Sequence, residues 1–391
     1  MALSDLPLSY CTNVHPGTSV AEVERGLDHF TVPLSVSYGG DLAAGLWLAQ
    51  PVVTELMQTP EAVDGFAQRL ADRGLTCHTL NAFPYGDFHS ERVKEQVYLP
   101  DWSTAARADY SRQCAQVLAA LLPTDGEGSI STVPLGFKGL EQPADFRQSC
   151  CNRLIELAAD LDRLFADQGK RIRLAIEPEP LCLLETTEET REFFQELFSR
   201  AADVNLLEQA QRYLGVCYDV CHQSVEFEDV ARSIEDLDDS GVRINKVHIT
   251  CAIELRQPAS HPERRQALAQ FVEPRYLHQT TALTASGRVA RITDLTEELA
   301  LHPPAEFAES DVWRIHFHVP VDAERLGPLH TTRPDLNRAL QAVHQLDYAP
   351  HLEVETYTWG VLPDGRSLDL VEGLSRELTA TRQLLDQVAS R

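Results

Sequence analysis

The chain has 391 residues, 43% of them apolar, and a formal net charge of −25 at pH 7. This length suits one large domain or two smaller ones, and the apolar content is sufficient for a large core. The negative charge argues against a nucleic-acid partner, because binding to phosphates depends on contacts from Lys and Arg side chains.

The nine cysteines do not form the pattern of a small disulfide-bonded domain, so we expect reduced thiols. The sequence shows no charged and then apolar leader, and no apolar run approaches the roughly 18 residues of a membrane span. We therefore predict a cytoplasmic protein without membrane insertion.

Nine segments have the apolar or alternating patterns of β-strands. They are residues 7–11, 32–37, 75–80, 129–135, 172–177, 214–219, 244–250, 313–319 and 351–356. Helical patterns separate most of them, and the clearest cover residues 152–168 and 187–201. Strands that alternate with helices of about 10–15 residues predict parallel βαβ units.

A (β/α)8 TIM barrel is the simplest α/β fold for this alternation, since it takes about 250 residues and tolerates long insertions. The nine candidate strands are one more than the eight strands of such a barrel. We assign the extra one to the segment 252–322, which has Pro-rich patches and few strand signals. We predict a single domain over residues 1–391, with an insertion at about 252–311 between the last two barrel strands and over the barrel mouth.

Strand parity predicts which side chains face the barrel interior, because successive residues on a strand point to opposite faces. In the strands that end in IEPEP, YDVCH, KVHIT and EVETY, branched apolar residues share one face, and small or ionisable residues share the other. The last inward residues of these strands are Glu177, Asp219, His248 and Glu355. They should converge, since the C-terminal ends of parallel barrel strands meet at one mouth.

These four residues offer three oxygens and one nitrogen, a ligand set that suits Mn²⁺, Mg²⁺, Co²⁺ or Zn²⁺. A divalent ion there would polarise a carbonyl or hydroxyl group of a substrate. The alternative interpretation is a structural cluster of ion pairs with Arg173 and Lys246, which share the inward faces. Glu353 lies one layer deeper than Glu355, and we expect it to pair with Arg173 or Lys246.

The same motifs resemble the xylose isomerase-like TIM barrels, a superfamily of sugar isomerases, ketose epimerases and AP endonucleases. IEPEP resembles the EPKP segment of xylose isomerases, which implies that Glu177 is a metal ligand. YDVCH resembles their D/E-x-x-H segment, which implies a ligand role for Asp219 and a substrate or second-metal role for His222. VHI and ETY resemble the endings of the seventh and eighth strands, which implies that His248 and Glu355 complete the site.

Departures from the family pattern bear on the reaction. Glu179 replaces the lysine of EPKP, which argues against aldose–ketose isomerisation by the xylose isomerase route. Glu179 could instead act as a general base if burial raises its pKa, and a solvated loop carboxylate explains it equally well. His316 and His318 share a strand face and would bind substrate or a second metal, in place of the Asp-x-His pair of AP endonucleases. A polar edge strand is the alternative interpretation of these two histidines.

Three polar residues near the starts of the chain's loops are candidate substrate ligands. Asn13 and His15 follow the first strand and Asn81 follows the third, beside an aromatic loop that suits a polyhydroxylated, cyclic substrate. Turn formation explains Asn13 equally well. SYCTNVHPG, TLNAFPYGDFH and LEVETYTW together resemble the EboE metabolite-traffic proteins, which implies a role in secondary metabolism and partner proteins of a pathway.

The sequence thus predicts a divalent-metal-dependent isomerase or epimerase that acts on a small sugar-like or polyhydroxylated metabolite. Glu177 or Glu355 would serve as the base, while His222 and His248 would position substrate oxygens. Two other functions stay open. One is a metal-dependent phosphoester hydrolase of AP-endonuclease type, and the other is a non-catalytic metabolite carrier or scaffold.

Overall fold

The structure is a computed structural model that describes residue 3 and residues 6–363 and 369–390. Its strands are β1 (Leu8–Cys11), β2 (Leu42–Trp47), β3 (Thr79–Asn81), β4 (Glu127–Thr132), β5 (Arg171–Ile176), β6 (Leu214–Asp219), β7 (Ile244–Ile249), β8 (Ile253–Arg256), β9 (Thr280–Leu283), β10 (Val289–Ile292), β11 (Val312–Ile315), β12 (Arg325–Leu326), β13 (Leu329–Thr331) and β14 (His351–Val354). Eight of them form a closed parallel barrel in the order β1-β14-β7-β6-β5-β4-β3-β2. With helices between its strands, this is the (β/α)8 TIM barrel that the sequence predicts.

The helices are α1 (Val20–Gly26), α2 (Val32–Tyr38), α3 (Gln50–Leu56), α4 (Pro60–Asp72), α5 (Ala105–Leu121), α6 (Phe146–Gln168), α7 (Thr187–Asp203), α8 (Leu207–Tyr213), α9 (Val220–Val225), α10 (Val230–Asp239), α11 (Pro262–Ala269), α12 (Glu297–Leu301), α13 (Ala305–Ala308), α14 (Arg333–Gln345) and α15 (Leu370–Ala389). The helices predicted over 152–168 and 187–201 are α6 and α7. Thr186 and Glu189 form a reciprocal capping box at the start of α7. Within the described residues, no helix combines the length and apolar character that crossing a bilayer requires.

The second barrel strand differs from the prediction. Residues 32–37 form helix α2, in which Leu34 is buried and Val36 is 79% exposed. Pro33 lies in its first turn, where the missing N–H is tolerated. The barrel strand is instead β2, whose sequence LAAGLW is buried throughout. Its Ala and Gly residues have low β-propensity and show no alternation, so the strand pattern does not reveal it.

A second sheet lies in the insertion between β7 and β14. Its six strands follow the order β10-β9-β11-β8-β13-β12, and their pairings are antiparallel. The predicted strand 313–319 corresponds to β11 of this sheet. The sheet continues to Thr331, beyond the range 252–311, and its strands of two to four residues are too short to give clear patterns. The assignment of residues 1–391 to one domain stays a prediction.

A buried ion pair lies inside the barrel, one layer below its mouth. Lys246 Nζ is 2.6 Å from Glu353 Oε1, and both side chains are fully buried, which confirms the expected pairing of Glu353. Burial acts to raise the pKa of Glu353, but Lys246 outweighs it and lowers that pKa to about 2. Gly45 of β2 leaves room for the pair, since a Cβ there would lie 1.5 Å from Glu353 Oε2.

Breaking this pair from one side should destabilise the fold strongly. Lys246→Met leaves Glu353 charged and buried, so we expect the free energy of unfolding to fall by about 3–5 kcal/mol. The double variant Lys246→Met/Glu353→Gln removes both charges and should lose less. Urea unfolding of the metal-free protein measures both effects.

An exposed pair provides the control. Arg288 Nη2 lies 2.8 Å from Glu306 Oε2, and both side chains are largely exposed. Arg288→Met should therefore cost less than about 1 kcal/mol. Equal losses for Lys246→Met and Arg288→Met would contradict a structural role of the buried pair.

Candidate functional site

Four ionisable side chains meet at the C-terminal mouth of the barrel. Glu177 follows β5, Asp219 ends β6, His248 lies near the end of β7, and Glu355 follows β14. Their candidate ligand atoms all lie within 4.8 Å of one another, and all four residues are buried. His248 Nδ1 is 3.0 Å from Glu177 Oε1 and 3.1 Å from Glu355 Oε2. The same nitrogen lies 3.5 Å from Asp219 Oδ2.

The carboxylates of this cluster have acceptor oxygens without donors. Asp219 Oδ1 accepts hydrogen bonds from His222 N and Thr250 Oγ1, whereas Asp219 Oδ2 accepts none. Glu177 Oε2 also lacks a donor. One imidazole N–H cannot satisfy three carboxylates, and unpaired buried charges are costly. A divalent cation would satisfy them, so the residues fit the predicted metal site.

A fourth carboxylate, that of Glu353, orients His248 toward the site between the other three. His248 Nε2 lies 3.3 Å from Glu353 Oε1, which leaves Nδ1 directed at the three carboxylates. Burial acts to lower the pKa of His248, but the surrounding acidic groups outweigh it and raise that pKa well above its usual value. Without an ion, the imidazolium therefore supplies the positive charge.

The two glutamates occupy different electrostatic environments. Burial raises the pKa of Glu177 to about 7. Burial also acts to raise the pKa of Glu355, but the neighbouring His248 outweighs this effect, so the pKa of Glu355 is lowered. Glu355 Oε1 accepts hydrogen bonds from Asn13 Nδ2 at 2.9 Å and Asn81 Nδ2 at 2.6 Å. Carboxylates with separated pKa values can serve as acid and base in one reaction.

Three histidines, His222, His316 and His318, lie beside this cluster. In each ring, Nδ1 faces an oxygen that accepts a hydrogen bond. The acceptors are Pro178 O at 3.0 Å, Gln279 Oε1 at 2.7 Å and Glu355 O at 2.6 Å, respectively. Because each Nδ1 donates its proton to one of these oxygens, each ring is held with its Nε2 directed away from that acceptor.

The Nε2 atoms of these histidines are close together. His222 Nε2 lies 3.0 Å from His316 Nε2, and His318 Nε2 lies 3.8 Å from Asp219 Oδ2 without a hydrogen-bond partner. Burial lowers the pKa of His222 to about 4 and that of His316 well below its usual value. His222 and His316 are therefore neutral at pH 7 and suited to bind a metal or accept a hydrogen bond.

Glu179 lies at the same mouth as a protonated carboxyl group. Its Oε1 accepts hydrogen bonds from Tyr98 Oη at 2.6 Å and from Gln279 Nε2 at 3.0 Å. Burial raises the pKa of Glu179 to about 8. The group is therefore mainly neutral at pH 7, so that its resting form suits a general acid better than the general base considered from the sequence.

Most of these groups line one pocket, whereas Asp219 and His248 are not among its lining residues. The predicted residues that line it are Asn13, Asn81, Glu177, Glu179, His222, His316, His318 and Glu355. His15 lies outside this pocket, since its ring stacks on Phe30 at 4.4 Å and its Nε2 is 3.1 Å from Tyr10 Oη. The insertion supplies His316 and His318, together with Tyr276 and Leu277.

The alternative of a purely structural ion-pair cluster finds no support among the described residues. Lys246 pairs with Glu353, and Arg173 pairs with Glu127 at 2.6 Å. Neither cation forms an ion pair with Glu177, Asp219 or Glu355 in this part of the chain. The three carboxylates therefore lack the cations that this interpretation requires.

Glu377 is a supporting residue that the sequence did not indicate. This buried carboxylate of α15 accepts hydrogen bonds from Val321 N at 3.0 Å, Thr356 Oγ1 at 2.7 Å and Trp359 Nε1 at 2.7 Å. It thereby fixes the segment that follows His318 and the segment that carries Glu355. A glutamate in an amphipathic helix usually indicates an exposed face, so no sequence pattern could have identified it.

Solved structures with the same fold support the barrel assignment. The chain is similar to a xylose isomerase-like TIM barrel protein from Mycobacterium smegmatis in complex with magnesium, with a TM-score of 0.55, 9% identity and 99% of each chain covered. It is similar to an L-ribulose 3-epimerase, with a TM-score of 0.53, 13% identity, and 98% of this chain and 96% of that chain covered. It is also similar to the IOLI protein with a bound zinc atom, with a TM-score of 0.50, 11% identity, and 98% and 99% covered.

At these identities the likeness shows the fold alone. A scan against family models and a search of curated proteins find no match. The resemblance to the EboE proteins therefore stays a prediction. The chain has the (β/α)8 TIM-barrel fold, and two of these structural neighbours hold magnesium or zinc.

Metal binding at this site should release protons. His248 is protonated before an ion binds, because its pKa is raised, and its Nδ1 must lose that proton to become a ligand. We expect the affinity for Zn²⁺ or Mn²⁺ to rise as the pH is raised from about 6 to 8, by up to about tenfold per pH unit. Titration calorimetry in buffers with different ionisation enthalpies should show about one proton or more released per ion.

The variant His248→Gln provides the control for this measurement. It keeps a polar group at the site but has no ionisable nitrogen, so proton release should fall and binding should weaken. A wild-type affinity that does not depend on pH would contradict the protonated His248.

Proposed function

We propose that this protein is a cytoplasmic, divalent-metal-dependent isomerase or epimerase that acts on a small sugar-like or polyhydroxylated metabolite. One observation carries the proposal. His248 Nδ1 lies 3.0 Å from Glu177 Oε1 and 3.1 Å from Glu355 Oε2, so that two glutamates flank one site that fits a divalent ion. Such a pair can remove a proton from carbon and return one.

The two glutamates would perform the proton transfers. Glu355 would accept a proton from the carbon beside a carbonyl group through a carboxylate oxygen that the ion leaves free. The electron pair of that C–H bond would form a C=C bond, and the π pair of the carbonyl group would move to its oxygen. Glu177 would carry a proton on its own free oxygen and return it to the same carbon from its own side, and the electron pairs would return to the C–H and C=O bonds. Their strands are separated in the barrel by β6 and β7, so the substrate carbon would lie between them.

Other residues would bind the substrate. Asp219, His248, Glu177 and Glu355 would hold the ion, which when bound would polarise the carbonyl oxygen and favour loss of the neighbouring proton. Asn13 and Asn81 hold Glu355 through Oε1 and so direct Oε2 inward. His222 and the protonated Glu179 would contact substrate oxygens at the pocket wall.

A more specific part of this proposal is a role in secondary metabolism. It rests on the resemblance to the EboE proteins, which also favours other proteins of a pathway as partners. Mn²⁺, Zn²⁺, Mg²⁺ and Co²⁺ all suit the ligand set.

Hydrogen exchange with solvent tests the proposed reaction. The Mn²⁺-loaded or Zn²⁺-loaded protein would be incubated in D₂O with ketopentoses, ketohexoses and 2-hydroxycyclohexanone, and NMR would detect deuterium at the carbon beside the carbonyl group. We expect incorporation into at least one compound, because a carboxylate base exchanges its proton with solvent. Glu177→Gln and Glu355→Gln should each lower the rate by about a hundredfold or more. No incorporation at full metal occupancy would contradict the proposal.

A metal-dependent phosphoester hydrolase is a second candidate, which the histidines beside the first cluster favour. Asp219, His222 and His318 have candidate ligand atoms within 4.8 Å of one another and could hold a further ion, with Asp219 shared between the two positions. Two ions about 4 Å apart are common in phosphoesterases.

Metal stoichiometry and hydrolysis of bis-p-nitrophenyl phosphate distinguish the two candidates. The hydrolase requires about two ions, loss of one of them in His318→Ala, and hydrolysis that disappears in this variant. The isomerase requires one ion that His318→Ala retains. A single ion and no hydrolysis by the wild type would exclude the hydrolase.

A further inference from the structure

Most of the pocket wall outside the ionisable cluster is apolar. Phe83, Pro84 and Phe88 come from the segment after β3, Val93 and Val97 follow them, and Leu277 and Tyr276 come from the insertion. The side chains of Phe83, Pro84, Phe88, Val93, Val97 and Leu277 contain no hydrogen-bonding atom. The pocket is therefore polar where Glu177, Glu355 and the histidines lie, and apolar along much of the rest.

Lys94 does not make this wall cationic. Among the described residues that line the pocket, Lys94 is the one Lys or Arg. Its Nζ donates to Tyr276 O at 2.5 Å, Glu273 O at 3.2 Å and Asp294 Oδ2 at 2.7 Å. An ammonium group has three donors, so none is left for a phosphate or carboxylate of a ligand. Lys94 instead joins the segment after β3 to the insertion.

The aromatic part of the wall is already packed. The ring centroids of Phe88 and Tyr276 are 4.8 Å apart, those of Tyr276 and Tyr357 are 5.0 Å apart, and those of Phe88 and Tyr357 are 5.3 Å apart. Aromatic rings from three separate segments thus pack against one another. Tyr98 donates its hydroxyl proton to Glu179 and offers no donor to a ligand. A flexible polyol chain could reach the hydroxyl groups of Tyr276 and Tyr357, but along Val93, Val97 and Leu277 it would lose water without gaining hydrogen bonds.

We propose that the substrate is amphipathic, with two adjacent oxygens at one end and an uncharged apolar ring or alkyl body at the other. The oxygen-bearing end, a hydroxyl beside a carbonyl, would lie at Glu177, Asp219, His248 and Glu355. The apolar body would lie against Phe88, Val93, Val97 and Leu277, and it carries no phosphate. This inference rests on the proposed function, and within the sugar-like or polyhydroxylated class it favours compounds with a hydroxyl and a carbonyl group at one end and an apolar body at the other.

Three hydroxamic acids test this inference, because they share a metal-binding end and differ in the body. Acetohydroxamate has a methyl group, benzohydroxamate has an apolar ring, and ribonohydroxamate has a polyol chain. Binding to the Zn²⁺-loaded wild type would be measured by titration calorimetry. We expect benzohydroxamate to bind about tenfold tighter than acetohydroxamate and tighter than ribonohydroxamate, because its ring leaves water for an apolar wall.

Variants of the wall test whether the preference for benzohydroxamate arises in this pocket. Val97→Asn and Leu277→Asn add a polar group to the wall and should reduce the preference for benzohydroxamate by about threefold or more. Their affinity for acetohydroxamate should fall by a smaller factor than their affinity for benzohydroxamate. Val204→Asn is the matched control, because Val204 is 55% exposed and does not line the pocket.

The outcomes separate this inference from the proposed function. Equal affinities of a Zn²⁺-loaded wild type for the three compounds, or tightest binding of ribonohydroxamate, would overturn the amphipathic substrate and leave the metal site intact. A protein that retains no ion and binds none of the compounds would overturn both. A preference that Val97→Asn and Leu277→Asn leave unchanged would also overturn the assignment of the wall.

Discussion

The convergence of three buried carboxylates on one imidazole is the constraint on which the rest of this site depends. Glu177, Asp219 and Glu355 lie around His248 in a region from which water is largely excluded. Like charges at such distances cannot all be ionised without a compensating cation. The raised pKa of His248 supplies part of that charge, and a divalent ion would supply the rest.

The barrel supports this arrangement from below and from the side. Lys246 and Glu353 form a buried ion pair one layer below the mouth. Glu353 Oε1 also lies 3.3 Å from His248 Nε2. Gly45 provides the space for Glu353. Behind the mouth, Glu377 binds the segments that carry His318 and Glu355, so that a helix outside the barrel fixes the spacing of site residues.

The sequence predicted the parts of the site that depend on strand parity. Glu177, Asp219, His248 and Glu355 end four strands with clear apolar faces, so their convergence followed from alternation and parallel pairing. Other parts left no local pattern. The Ala-rich β2 lacks alternation, and the pairing of Tyr98 and Gln279 with Glu179 depends on contacts between distant segments.

The insertion determines what the mouth can bind. Val93 N and Lys94 N both donate to Arg275 O, at 2.8 Å and 2.9 Å, so the segment after β3 and the insertion close over the pocket together. This closure places an apolar wall beside the ionisable cluster and limits access of water to the carboxylates. Proton transfer at carbon requires such a dry site, because water would compete for the base.

The metal content of the purified protein tests the central claim most directly. Plasma mass spectrometry would compare the wild type with Glu177→Ala/Glu355→Ala, and with Glu306→Ala as a control at an exposed carboxylate. We predict about one divalent ion or more per chain in the wild type and the control, and none in the double variant. A wild type that holds no ion, even after addition of Mn²⁺ or Zn²⁺, would contradict the metal site and the reaction derived from it.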